Sequence, residues 1–520
     1  MLYISIDLYV NINPIIYVEK PSTLARLMAT CFAPDIWGWI TTLPPIHQWT
    51  PSSLSLHLCT SQEGNHSLTL VINKAPKHQP STISFSIFST VPVPISLWTS
   101  HSFRLKDHQI DGEIMQNFFF NIVSGVLKYG HHNKYTLRTI ALDGCNNSDV
   151  FNVSFLTLSF LVCVYEAPLD LRREFVETIR VHLAHPKMRE SSKQLMQVLG
   201  SNIEEQWMRS LNLGFTNWIV ESKAFGKDEL TTPSPLFSYA ISASSLWKIQ
   251  LYYPMIAMAM ENPSSSTKDA RLQFSLNYQQ FESVIQLRYK LNFKENWIDI
   301  NVNVDNIRCN LIRLVSETLM EKQGYGSDEK HFPSRISLQL TPLLQSDILS
   351  VTVTKSTDNP AHEVGIEKTI ESSFEPPKSV GFSISSTGTV LLSLKPWKFE
   401  QSVYGDSAIL NWILHDSVNG REVFSSKPPK FALCQPKSWF RNRYTRAYRP
   451  FTREGGVIFA EDEYGESICW KVREAAIGKT MEWEIKGKIW LTYWPNKRRT
   501  HHSETRFLEF NELVSLSIEN

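Results

Sequence analysis

Alternation of apolar and polar residues with a period of two runs through most of this 520-residue chain, and it restricts the fold more than any other feature. Thr82–Phe88, Arg271–Tyr278, Val284–Leu291, Ile336–Leu340, Leu349–Val353 and Val380–Ile384 each place apolar side chains on one side of an extended backbone, and turn-rich stretches separate many of them. Such segments predict antiparallel sheets with one buried face, and their spacing favours sandwiches or open barrels over parallel α/β folds. The expected class is mainly β (α+β), with antiparallel sandwich-like sheets.

One region departs from that period. Leu171, Phe175, Ile179 and Leu183 recur every four residues between Pro168 and Pro186, which predicts an amphipathic helix. A second helix should run to Leu199 and stop at Gly200, and a third should start at the capping box Ser201–Glu204 and present Ile203, Trp207 and Leu211 on one face. The result is a small helical layer near residues 169–212 packed over a sheet. The apolar stretch Phe151–Tyr165 carries Asn152, Ser154, Thr157 and Ser159 and is shorter than the roughly 20 residues a membrane-crossing helix needs. It reads as a buried strand, and no transmembrane segment is expected.

A chain of this length should divide into several domains. Polar, Pro- or Gly-interrupted linkers at 221–236 and 355–378 separate a β-rich domain ending in helices (28–220), an antiparallel β domain (237–354) and a Trp/Arg-rich β domain (379–520). Residues 1–27 read as a poorly structured or non-native extension, with Met28 as an alternative start. That N-terminal stretch lacks the basic region of a signal peptide.

Charge and cysteine usage exclude several functions. With 52 basic and 51 acidic residues the chain has no long-range field to steer nucleic acid, which is disfavoured as a partner. The seven cysteines at 31, 59, 145, 163, 309, 434 and 469 are odd in number, scattered and without a C-x-x-C pair, which suits reduced thiols in the cytoplasm or nucleus. Sequons at Asn65, Asn146 and Asn152 are the only signal for secretion, and tripeptides this short arise readily by chance.

Three constellations carry chemistry. The run Lys437–Arg453, KSWFRNRYTRAYRPFTR, interleaves basic and aromatic side chains without an acid. Arg441, Arg443, Arg446 and Arg449 suit bidentate contacts to an anionic group, and Trp439, Tyr444 and Tyr448 offer flat faces beside them. Alternatively these arginines pair with Glu461, Asp462, Glu463 and Glu466 across a hairpin turned at Gly455 and Gly456, a reading that the near-neutral net charge favours. In Trp297–Asn306, Asp299, Asn301, Asn303 and Asp305 project from one strand face. They are candidate metal ligands, but an EF-hand is excluded by Val304 and Asn310, and ligands along one strand diverge, so a solvated face is the expected state. The third constellation is Met481–Trp494, which alternates strongly, with Gly487 marking a bulge or close backbone approach. Its rings suit either a sugar platform or inter-sheet packing.

Signatures of nucleophile elbows, zinc proteases, P-loops and dinucleotide folds are missing, so no catalytic residue and no cofactor is assigned. Lys395–Pro428 (KPWKFEQSVYGDSAILNWILHDSVNGREVFSSKP), WFRNRYTRAYRPFTREGGVIFAEDEYGES and GKIWLTYWPNK resemble a family of plant proteins of unassigned function, and the likeness extends upstream through FLVCVYEAPLDLRREF and ENWIDINVNVDNIRCN. That resemblance implies a plant source and a shared fold, and it transfers no residue roles.

The resulting expectation is a non-catalytic intracellular interaction or ligand-binding protein that contacts a protein or anionic ligand through Trp439–Arg453. The alternatives are a carbohydrate-binding or glycosidase-like protein, using the C-terminal aromatics and the 461–466 carboxylates, and a peripheral protein docking on anionic lipid.

Overall fold

The computed structural model describes residues 34–60, 66–75, 82–90, 94–106, 108–130, 147–224, 236–261, 270–316, 318–319, 331–354, 362–366, 390–394, 397–414, 457–460, 467–493 and 504–519. After helix α1 (Ile36–Thr41) come β1 (Ser53–Thr60), β2 (Ser67–Lys74), β3 (Thr82–Thr90), β4 (Pro94–Thr99) and β5 (Phe103–Arg104). They form an antiparallel sheet with β1 to β4 in sequence order and β5 added to β3. Alternation buries Leu68, Leu70 and Ile72 on β2 and Ile83, Phe85 and Ile87 on β3.

That buried face rests on helices. Helix α2 (Gly112–Lys128) is capped by Asp111, whose carboxylate accepts the Ile114 N–H at 2.9 Å, and its Phe118 stacks on Phe85 with centroids 3.8 Å apart. Then follow α3 (Asn147–Glu166), α4 (Leu169–Leu183), α5 (Pro186–Leu199) and α6 (Ser201–Ala224). The three expected helices are present: α5 has Pro186 in its first turn and stops at Gly200, where φ is 71°. Helix α6 runs on to Ala224, into the stretch expected to be a linker from 221.

The strand expected at Phe151–Tyr165 is instead most of helix α3. A run apolar on every side carries no period, and what decides it is the surroundings: α1, α2, α4, α5 and α6 all pack on α3. Its hydroxyls are satisfied within the helix, since Ser154, Thr157 and Ser159 donate to the carbonyls of Val150, Val153 and Phe155 at 2.7, 2.8 and 2.9 Å. Helix α6 approaches closely at Gly214, where a Cβ would fall 2.5 Å from a Leu161 methyl. Ser148–Glu166 is long and apolar enough to cross a membrane by composition, but 83% of its best window is buried inside the protein.

The rest is a sandwich. The chain supplies β6 (Ser238–Ala243), β7 (Leu246–Pro254), β8 (Ala259–Met260), helix α7 (Ala270–Asn277), β9 (Gln279–Phe293), β10 (Trp297–Arg313), β11 (Phe332–Pro342) and β12 (Ile348–Val353). It continues with β13 (His362–Ile366), β14 (Val390–Leu394), β15 (Trp397–Tyr404), β16 (Ser407–Leu414), β17 (Val457–Ala460), β18 (Ser467–Arg473), β19 (Thr480–Tyr493) and β20 (Glu504–Ser517). One sheet has the order β12-β18-β10-β9-β7-β6, with β17 on β10, and the other has the order β15-β16-β11-β19-β20-β8. Strands from 237–354 and from 397–517 are thus mixed within both sheets. The pair β13–β14 stands apart, and β13 lies within the stretch read as a linker at 355–378.

Rings join the two sheets: Trp483 of one lies 5.2 Å from Trp247 and 6.0 Å from Trp470 of the other, centroid to centroid. The expected strand at Arg271–Tyr278 is helix α7 with the residue after it. Its Phe274 and Tyr278 rings, four residues apart, meet at 4.8 Å, a contact that helical spacing provides and alternation does not. Val380–Ile384 lies outside the described residues.

Candidate functional site

β11, β19 and β20 are neighbours, and strict alternation divides their side chains. Ile336, Leu338 and Leu340 of β11, Trp483, Ile485 and Ile489 of β19, and Phe510 and Val514 of β20 point into the sandwich. The outward residues fall into cross-strand rows set by the register. Ser337, Lys488 and Glu509 form one row, and Gln339, Lys486 and Asn511 form the next. Together they line an open groove of ≈ 460 Å³. Gly487 and Phe510 line it as well.

Gly487 explains how that surface stays low. A Cβ there would lie 1.9 Å from the Phe510 ring, so only glycine lets this ring fill the layer beneath the strand. The expected close approach is therefore present, and the register at Gly487 itself is unbroken, the shift between β11 and β19 falling later, between Pro333 and Arg335.

Every charge beside the groove has a partner. Lys488 Nζ meets Glu509 Oε1 at 2.5 Å, and Lys486 Nζ meets Glu484 Oε2 at 2.8 Å. Asn511 Nδ2 donates to the other oxygen of Glu484 at 2.7 Å. The hydrogen bonds from Lys486 and Asn511 hold the Glu484 carboxyl below the usual glutamate range, so it stays ionised. The row on one side is aromatic: the Arg335 guanidinium lies 3.5 Å from the Trp490 ring centroid, and Lys488 Nζ lies 3.9 Å from that of Phe507. On the other side stands Leu513, which is 53% exposed.

Two further polar clusters face inward. Glu504 is buried, accepts from Arg506 Nε at 2.6 Å and meets His331 Nε2 at 3.1 Å. Burial pushes this carboxyl up, but the His331 hydrogen bond and the Arg506 charge outweigh it and hold the group well below the usual range. Glu204 of α6 accepts from the Tyr239 hydroxyl and from the Tyr252 hydroxyl at 2.7 Å, which ties the helix to β6 and β7. Burial, together with the Glu204 carboxylate, pushes both phenols far up, so they remain donors. Beside them Arg209 of α6 forks onto Glu282 of β9 at 2.8 and 3.1 Å. These groups hold elements together, and Tyr239 and Tyr252 also line a narrow cavity of ≈ 30 Å³ between α5, α6 and β6.

The residues singled out by sequence fare unequally. Trp439, Arg441, Arg443, Tyr444, Arg446, Tyr448 and Arg449, and the acids at 461–466, lie outside the described residues. Asp299, Asn301, Asn303 and Asp305 do share the outward face of β10, opposite buried Ile298, Ile300, Val302 and Val304. They do not converge: Asp299 accepts from Trp297 Nε1 at 2.9 Å, and Asp305 pairs with Arg288 at 2.5 Å. Among the described residues no group of three or more His, Cys, Asp or Glu is placed to hold a metal ion.

The described C-terminal tryptophans, Trp397, Trp412, Trp470, Trp483 and Trp490, are all buried, which corrects the sugar-platform expectation for these rings. They fill the space between sheets or, for Trp490, lie under Arg335. Asn152 is no glycan acceptor in the fold, being buried between the Trp37 N–H at 2.9 Å and Asp35 at 3.0 Å. Cys59, Cys163, Cys309 and Cys469 are free thiols, and desolvation pushes Cys59 and Cys309 up to about 12.

No family model matches the chain, and no curated protein does. Among solved structures it is similar to the Clostridium perfringens delta-toxin, at 9% identity over 54% of this chain and 98% of that one, with a TM-score of 0.21. It is similar to a pore forming protein at 10% identity over 54% and 94%, TM-score 0.19. The membrane inserted form of the Clostridium perfringens NetB toxin matches at 7% identity over 51% and 100%, TM-score 0.20. Superpositions this loose carry neither fold nor function across.

The groove escaped sequence reading because its residues come from three strands far apart in the chain. Alternation marks Lys486, Lys488, Glu509 and Asn511 as outward, and only the register sets them side by side.

Proposed function

We propose that this chain is a non-catalytic ligand-binding protein of the cytoplasm, and that the outer face of the β11–β19–β20 sheet is a contact surface. The observation that carries this reading is the groove itself, where amide, hydroxyl, ammonium and carboxylate groups from three strands converge over a glycine-lowered floor. The buried carboxylates Glu204 and Glu504 are committed to internal partners, which supports binding over turnover as the role of the open surface. Free thiols at Cys59, Cys163 and Cys309, buried and held protonated, support a reducing compartment. The basic aromatic segment Trp439–Arg453 is proposed as a second contact surface for an anionic partner.

Melting the full chain against a panel of sugars, nucleotides and inorganic phosphate tests this. A binder should raise the melting temperature of the wild type and of the variant in which Arg441, Arg443, Arg446 and Arg449 become Gln, while Lys486→Ala/Asn511→Ala should abolish the shift. A shift that survives the groove variant and vanishes in the arginine variant would move the contact surface to 439–453. Product formation from the bound compound would overturn the non-catalytic assignment.

A further inference from the structure

We infer that the groove takes a neutral oligosaccharide. This rests on the reading of the groove as a contact surface and adds the chemistry of its occupant.

Charge comes first. Lys486 and Lys488 are matched by Glu484 and Glu509 through contacts of 2.8 and 2.5 Å, so the formal charge of the four sums to zero. An anion would meet a carboxylate for every ammonium, and a cation the reverse, so neither has a Coulombic advantage. A ligand that carries donors and acceptors without charge meets no such opposition.

Hydrogen-bond capacity comes second. Each ammonium has three donors, each amide has both donor and acceptor sites, and the Ser337 hydroxyl and Glu509 carboxylate add acceptors. The observed contacts use one Lys486 donor, one Lys488 donor, one Asn511 donor and one Gln339 donor, which goes to Thr341 Oγ1 at 3.4 Å. What remains is a dense mixture of both kinds on a fixed grid, with strands ~4.8 Å apart and successive outward residues ~6.8 Å apart. Sugar hydroxyls, each both donor and acceptor, can use both kinds of site.

Shape and apolar borders come third. The polar rows lie between partly exposed Phe507, one face of which carries Lys488, and exposed Leu513. A sugar ring has hydroxyl edges and C–H faces, so it satisfies the floor and the borders together.

Calorimetric titration of the full chain with neutral tetrasaccharides of glucose, xylose and mannose, and with tetragalacturonate as the acidic counterpart, decides the matter. The inference expects binding of a neutral tetrasaccharide with an affinity nearly independent of salt, weakened roughly tenfold by Gln339→Ala or Asn511→Ala at unchanged melting temperature. Lys488→Gln, which removes the ammonium and keeps an amide donor, should retain part of the affinity. Salt-sensitive binding of tetragalacturonate alone that Asn511→Ala weakens would overturn the ligand class and leave the groove as the contact surface. Neutral binding that neither alanine variant changes would overturn both. No binding of any of the four, with another compound's melting shift lost in Lys486→Ala/Asn511→Ala, would overturn the class alone.

Discussion

The sandwich has two outer faces of similar composition and different consequence. On β10, Asp299, Asn301, Asn303 and Asp305 follow one another along a single strand, so the outermost pair is ~20 Å apart, and each aspartate is taken up by a nearby donor. On β11, β19 and β20, the polar groups are set across strands, within ~10 Å, and border a concavity. Convergence in a sheet comes from pairing between strands, so the face that looks richer in the sequence is the poorer site.

Substitutions can break or sharpen that contrast. The largest effect is expected beneath the grooved sheet. Glu504→Ala leaves Arg506 and His331 without their shared carboxylate and should cost about 3–5 kcal/mol in urea unfolding. The pH dependence has a definite sign. Because the folded carboxyl is depressed, its contribution is full above the ordinary glutamate range and is lost as pH falls through that range toward the folded value. Glu504→Gln should flatten this acid limb, and an unchanged limb would show that the His331 and Arg506 contacts do not act on Glu504.

Gly487→Ala forces a methyl into the Phe510 ring and should cost about 1–3 kcal/mol, with part of it recovered by adding Phe510→Leu. A neutral Gly487→Ala would mean that the groove floor is not set by this contact. Tyr252→Phe removes one of two phenol donors to Glu204 and should cost about 1 kcal/mol, measured the same way. The smallest effects belong to the two faces. Asp305→Ala and Glu509→Ala each remove one member of a solvent-facing pair and should change stability by about 0–1 kcal/mol. Only the second should alter ligand binding, and equal effects of both on a titration would erase the distinction between the faces.

Much of the fold was legible. Alternation at 82–88, 284–291, 336–340 and 349–353 gave strands, and the four-residue repeat after Pro168 gave α4, because one-sided burial leaves a period in the sequence. Phe151–Tyr165 failed because burial on every side leaves none. At Arg271–Tyr278, an eight-residue helix is too short for alternation and helical spacing to be told apart. Gly487 was legible as a close approach, but its partner Phe510 was not, since the contact depends on the register of β19 with β20. For the same reason Lys486, Lys488, Glu509 and Asn511 carried no mark as a group.

Lysine-reactive footprinting compares the two faces most directly. Lys486 and Lys488 stand on the grooved face, while Lys290 and Lys471 stand on the face of β10. With a saturating concentration of the neutral tetrasaccharide that binds, Lys486 and Lys488 should become protected while Lys290 and Lys471 label as before. Protection at Lys290 and Lys471, or unchanged labelling at all four, would contradict the account.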